Sequence, residues 1–199
     1  MKVLFFGGSF DPVHVGHLVV ARDVMELLGF DEVVFVPAFQ APLKAPHEAS
    51  PFQRLRMLEI ALEGKRGFSV SDIEIRRGGV SYTVDTAEEI FKKMGERPYF
   101  LLGADSVLHM HLWKEPNRLL KMARFVIVDR EGKKDVVRDY LRTHYPSFRE
   151  GEDFTVIAHT RRIDVSSTEI RKRVKEGKPI SWLVPEGVEE YIYRKGLYR

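Results

Sequence analysis

The 199-residue chain contains no cysteine, which excludes disulfides, thiolate catalysis and Cys-based zinc sites. No apolar run approaches the length of a membrane span, and the first residues carry no signal-peptide pattern. A cytoplasmic protein with no membrane partner is the expectation. Asn occurs only at position 117 and Gln only at 40 and 53, against 31% charged residues, a balance favoured at high temperature. Internal repeats, low-complexity tracts and linkers are missing too, so a single domain over residues 1–199 is expected, its C-terminal part from about 166 helical. A strong charge of one sign is also lacking. The net charge is +3, with basic residues scattered rather than blocked. Nucleic acid is therefore not the expected partner, and anionic small molecules fit better with the motifs that follow.

What is present is an alternation of short apolar runs and amphipathic stretches. Val3–Phe6 and Val33–Val36 read as buried strands, separated by a helical stripe from Gly16 to Leu28 that Gly29 is placed to end. A long loop punctuated by Pro37, Pro42, Pro46 and Pro51 follows, a length that favours a functional or mobile role. Ser50-Pro51-Phe52-Gln53 then predicts a capping box, with the helix running to about Glu63. Phe68–Ile75 alternates like a strand, Thr83–Met94 reads as a helix, and Tyr99–Leu102 and Phe125–Val128 as central strands. Asp105–Met122 reads as helical but broken near Trp113 and Pro116. Asp135–His144 predicts a helix, Phe154–Ala158 a strand, and Ser166–Glu169 a second capping box whose helix ends near Gly177. Pro185–Lys195 predicts the last helix. The alternation predicts an α/β fold, a doubly wound parallel sheet with helices on both faces.

The most informative segment is Gly7-Gly8-Ser9-Phe10-Asp11-Pro12-Val13-His14-Val15-Gly16-His17. It places a strand, a glycine turn and a helix start in the order of an anion site, where free N–H groups and the helix dipole favour phosphate. His14 and His17 add donors that can be cationic near neutral pH. A metal pair is less favoured, because no third ligand stands at a matching spacing, so no metal site on protein ligands is expected. A G-x-G-x-x-G dehydrogenase turn has the wrong spacing.

This segment resembles the signature of the nucleotidylyltransferase superfamily, whose members share a Rossmann-like fold and place an H-x-G-H motif at the α-phosphate of ATP. Val165-Ser166-Ser167-Thr168-Glu169-Ile170-Arg171 resembles that superfamily's second signature. Three further runs resemble nicotinate-nucleotide adenylyltransferases: Ser81-Tyr82-Thr83-Val84-Asp85-Thr86, then Gly103-Ala104-Asp105-Ser106 with Leu112-Trp113-Lys114, and the tail from Trp182 to Tyr198. Two departures stand out. The loop that commonly reads N-P-P-H-K is Gln40-Ala41-Pro42-Leu43-Lys44 here, and Arg-Pro-Gly is Arg130-Glu131-Gly132.

The resemblance implies transfer of the adenylyl group of ATP to nicotinate mononucleotide, giving nicotinate adenine dinucleotide and pyrophosphate. His14, His17 and Arg171 are then the expected catalytic residues. Gly7, Gly8, Ser9, Phe10, Gly103, Asp105, Ser166, Ser167 and Thr168 join them in binding ATP. Lys44, Ser81, Tyr82, Thr83, Trp113 and Arg130 are expected at the second substrate. Taken by itself, Trp113 among Leu108, Leu112 and Leu119 reads first as core packing, and both roles can hold. Mg²⁺ is expected mainly on the ATP phosphates. Other readings stay open: a nicotinamide-mononucleotide or pantetheine-phosphate adenylyltransferase, a binding module without catalysis, and a homo-oligomer.

Overall fold

The computed structural model describes residues 1–199. Six strands form one all-parallel sheet: β1 (Val3–Gly8), β2 (Glu32–Pro37), β3 (Phe68–Val70), β4 (Tyr99–Gly103), β5 (Arg124–Val128) and β6 (Phe154–Ile157). Their order is β3-β2-β1-β4-β5-β6, so the chain winds outward from β1, then crosses over it to build the other half. The switch lies between β1 and β4, where Leu4 pairs with Tyr99 and Phe5 with Phe100. In such sheets the crevice beyond the carboxyl ends of the strands at this point is where ligands bind.

Nine helices cover the two faces: α1 (Val15–Leu28), α2 (Pro51–Leu62), α3 (Ile73–Arg77), α4 (Thr83–Met94), α5 (Ala104–Val107), α6 (Pro116–Met122), α7 (Lys134–His144), α8 (Ser167–Lys175) and α9 (Glu186–Lys195). The period-two rule of strands divides the core. Leu4 of β1 and Val126 and Val128 of β5 pack with α1, α2, α8 and α9 on one face. Phe5 of β1 and Phe125 and Ile127 of β5 pack with α3 to α7 on the other. None of the helices is long and apolar enough to cross a membrane.

Two expectations are corrected. Phe68–Ile75 is not one strand: β3 ends at Val70, and Ile73–Arg77 form a short helix in which Ile73, Glu74 and Ile75 are all buried. Three consecutive buried residues break the alternation, and Glu74 in the first turn with Arg76 and Arg77 in the last suits the helix dipole. At the start of α8, Ser166 accepts from the Glu169 N–H, but Glu169 does not return the bond, so the box is half formed. The predicted box at Ser50 and Gln53 is complete.

Candidate active site

The glycine turn after β1 and the start of α1 build the centre of the crevice. His14 is the N-cap of α1, and its Nδ1 accepts from the Gly16 N–H at 3.1 Å. His17, one turn in, returns the bond: its Nδ1 accepts from the His14 N–H at 3.2 Å. This is a capping box written in histidines, and the two rings stack with centroids 3.7 Å apart. Gly16 makes it fit, since a Cβ there would lie 2.9 Å from the His14 ring. Because both Nδ1 atoms accept, each neutral ring carries its proton on Nε2, leaving two N–H donors for a ligand.

The rings are also neutral at pH 7, against the expectation of cations. Burial, then the charge of Arg130, lowers His14 to about 4. Burial, then the charges of His14, Arg130 and Lys44, lowers His17 well below its ordinary value. The same influences place Arg130 and Lys44 within electrostatic reach of the pair, so positive charge at the site comes from these side chains instead.

Phe10 is buried rather than facing the crevice. Its ring packs edge-on against Phe6 and His17, and forms the floor under the histidine. A Cβ on Gly8 would strike this ring at 2.9 Å, whereas Gly7 has open space above it. The Ser9 hydroxyl is enclosed and has no partner within the protein.

The C-terminal motif folds back onto this turn. The Ser167 hydroxyl donates to the Pro12 carbonyl at 2.8 Å, and Arg171 Nη1 donates to the Asp11 carbonyl at 2.9 Å. Arg171 Nε also meets Glu48 at 3.3 Å, and Nη2 reaches Thr168 at 3.4 Å. Two motifs distant in sequence are therefore one unit in space.

Two buried charged residues that sequence reasoning missed hold the loops around this unit. Asp11 accepts from the N–H groups of Glu48 (2.9 Å) and Ala49 (3.1 Å) and from the Tyr198 hydroxyl (2.6 Å). Burial, with the Asp11 charge beside it, raises the Tyr198 phenol, which keeps the proton it donates. Arg54 is fully buried and spends its guanidinium on the carbonyls of Ala49, Ser9, Ala38 and Phe39. A trace of this role lay in the sequence, because Arg54 occupies the apolar stripe of α2 with Met57, Leu58 and Ala61.

Two cavities meet at Asp105 and Ser106, beyond β4. One, about 360 Å³, is walled by Gly103, Arg130, Lys133 and the Arg162–Val165 loop. Asp105 is paired there with Lys133 at 2.6 Å. The other, about 1350 Å³, is walled by Lys44, Tyr82, Thr83, His109, Trp113 and Lys114. Trp113 is half-buried, one side against the core and another on the cavity. The N-terminus of α4 opens here without a side-chain cap, and the N–H groups of Thr83 and Val84 have no partner. Lys114 sits over the Tyr82 ring and pairs with Asp85 at 3.0 Å. Ser81 faces away: its buried hydroxyl accepts from the Phe39 N–H at 2.9 Å. The stretch before it is a loop joined to Gln40 by one bridge.

The cytidylyltransferase-like family model matches residues 5–173. A protein of Aquifex aeolicus (strain VF5) named as a probable nicotinate-nucleotide adenylyltransferase is 51% identical over 167 residues, covering 83% of this chain and 99% of that one. A protein of Hydrogenobaculum sp. (strain Y04AAS1) with the same name is 40% identical over 198 residues, covering 100% of this chain and 98% of its own. The structure of Plasmodium falciparum nicotinic acid mononucleotide adenylyltransferase complexed with NaAD aligns with a TM-score of 0.79 at 20% identity, over 99% of this chain and 97% of that one. At that identity the likeness speaks for the fold, and the two bacterial relatives speak for the family. This chain belongs to the nicotinate-nucleotide adenylyltransferase family of cytidylyltransferase-like proteins.

Proposed function

We propose that the chain transfers the adenylyl group of ATP to nicotinate mononucleotide, forming nicotinate adenine dinucleotide and pyrophosphate. The observation that carries this reading is the pair of imidazole Nε2–H donors, fixed by mutual capping within electrostatic reach of Arg130 on the smaller cavity and Lys44 on the larger. A 5′-phosphate oxygen of the mononucleotide attacks the α-phosphorus in line, a new P–O bond forms, and the bond to pyrophosphate breaks. The attacking phosphate is already anionic, so no proton is removed and no general base is needed. What the protein must supply is position and stabilisation of charge on the transferring group.

His14 and His17 take the α-phosphate oxygens, with neutral donors that need not lose or gain a proton during the step. The smaller cavity takes the adenosine half, by Gly103 and Asp105. Ser166, Ser167, Thr168 and Arg171 face the β- and γ-phosphates from the start of α8. Gly7, with open space above it, lets the phosphates approach the backbone. The larger cavity takes the mononucleotide, with Lys44 and Arg130 toward its phosphate and the Trp113 ring against the pyridine. The free N–H groups of Thr83 and Val84 and the α4 dipole suit a carboxylate, which favours the acid over the amide.

The groups around the phosphates are N–H donors and cations, a set suited to phosphate oxygens rather than to a metal ion. No three His, Asp or Glu side chains converge to hold one. Mg²⁺ bound to the ATP phosphates would neutralise part of the charge on the leaving pyrophosphate, with Lys44, Arg130 and Arg171 supplying the protein's own positive charge. Incubation with α-labelled ATP, Mg²⁺ and nicotinate mononucleotide should give a labelled dinucleotide and equimolar pyrophosphate. Binding of ATP without either product would overturn the proposal.

A further inference from the structure

Behind the larger cavity, and lining none of it, lies a buried carboxylate that the chemistry above does not use. Glu74, on α3, is 7% exposed, and its surroundings are equally enclosed: Thr86 is fully buried and Ser81 nearly so. The Thr86 hydroxyl donates to Glu74 Oε1 at 2.6 Å. Ser81 is close enough to favour the charged form of the Glu74 carboxyl. Each hydroxyl is at the same time an acceptor, Thr86 from Arg77 Nη2 at 2.8 Å and Ser81 from the Phe39 N–H at 2.9 Å.

A hydroxyl has one hydrogen to give. With its oxygen already accepting from Arg77, Thr86 donates to Glu74 at 2.6 Å, well inside the 3.4 Å to its other acceptor, the Tyr82 carbonyl. A glutamine could turn its NH₂ toward that hydroxyl and break the bond. The charged groups facing Glu74 are Arg77 from its own helix and Arg54 from α2, and these with the two hydroxyls oppose its burial, which pushes it up to about 7. A carboxylate in such a place is costly, and an apolar trio of similar volume would be as stable or more so. Packing alone therefore does not account for it.

What hangs from the carboxylate does. Thr86 lies in the first turn of α4, whose free Thr83 and Val84 N–H groups face the cavity. Ser81 holds the Phe39 N–H by its hydroxyl and the Gln40 carbonyl by its own N–H at 2.9 Å, just before Ala41 to Lys44 form the opposite wall. We infer that Glu74 is a positioning residue for the second substrate, fixing through Thr86 the start of α4 against the Ser81 loop, the two walls between which the mononucleotide binds. The inference rests on the reading that the larger cavity receives that substrate.

Steady-state kinetics of the full chain at pH 8, with each substrate varied in turn, test it. Glu74→Gln and Thr86→Val should each raise KM for nicotinate mononucleotide about tenfold, the effect of loosening two hydrogen bonds. KM for ATP and kcat should stay within about twofold, because the histidines and the smaller cavity are untouched. The double variant should be little worse than the poorer single one, since both substitutions break the same chain of bonds. Unchanged KM for the mononucleotide would overturn the inference. So would parallel loss in both KM values and kcat with a lowered melting temperature, the signature of a purely structural role. Should the wild type prefer a different mononucleotide, the substrate reading falls, and the same split measured with that nucleotide would still support Glu74.

Discussion

Replacing Arg54 with methionine keeps the length and apolar stem of the side chain and removes its five donors. Four carbonyls lose a charged partner, at donor–acceptor distances of 3.2 Å (Ala49), 2.7 Å (Ser9), 2.6 Å (Ala38) and 2.9 Å (Phe39). The bonds to Ala38 and Ala49 are buried, so those oxygens cannot turn to water; the other two are partly exposed and can. A buried acceptor left unpaired costs about 1–3 kcal/mol, so the two together cost roughly 4 kcal/mol. Asp11 also loses a cation near its buried carboxylate. For a chain of this size, roughly 2–4 °C is lost per kcal/mol, so the melting temperature should fall by about 10 °C. Arg54→Lys should fall between, because one ammonium cannot reach loops on three sides. Thermal unfolding followed by circular dichroism, with urea unfolding as a check on two-state behaviour, measures both. A methionine variant melting within 2 °C of wild type would refute the idea that Arg54 clamps the loops at Ser9, Ala38 and Ala49.

If His17 donates to the transferring phosphoryl group as proposed, His17→Ala should lower kcat on the order of 10²-fold while ATP affinity falls less; near-normal turnover would remove His17 from the chemistry. Carbon-bound proton shifts in a pH titration of the unliganded protein should show His14 titrating at about 4. Because unfolded histidine binds its proton near 6.5, the unfolded state gains protons first, and up to roughly 3 kcal/mol of stability should be lost as pH falls from 6.5 to 4. A His14 midpoint near 6.5 would show that the cap does not shield the ring. Arg171→Ala should weaken ATP binding and also loosen the Asp11 turn, so isothermal titration with ATP and the melting temperature should both shift; wild-type values for both would reduce the C-terminal motif to a plain helix cap.

The sheet was legible because its signals are local. Gly29 and Gly95 end α1 and α4 in left-handed conformation, where the apolar stripes stop. Ser50 and Gln53 cap α2 as their spacing implies, and Pro116 opens α6, but the helix expected from Asp105 stops early, at Val107, with a 3₁₀ turn over Met110–Leu112 before Trp113. The short helix at Ile73 was missed because Phe68 to Ile75 alternates in sequence, while burial of Glu74 depends on Thr86 and Arg54, which lie far along the chain. The turn from β1 into α1 was legible as strand, glycine turn and helix start, since these announce themselves locally. Its internal wiring was not. No pattern says that His14 and His17 cap each other, that Phe10 is the floor beneath them, or that Ser81 turns inward to Phe39. These depend on loops meeting in space, and so do Asp11 and Tyr198, which bond from opposite ends of the chain.

The proposed reaction is adenylyl transfer to an acid-bearing mononucleotide. In the proposed pose nicotinate would present a carboxylate to the free N–H groups at the start of α4, whereas nicotinamide would present N–H donors to donors. One unmatched buried group costs about 1–3 kcal/mol, and each 1.4 kcal/mol is tenfold. Competing equimolar nicotinate and nicotinamide mononucleotides for ATP and Mg²⁺ in one vessel, and counting the two dinucleotides formed, gives the ratio of kcat/KM directly. The account predicts at least about tenfold preference for the acid; parity, or a preference for the amide, would contradict it.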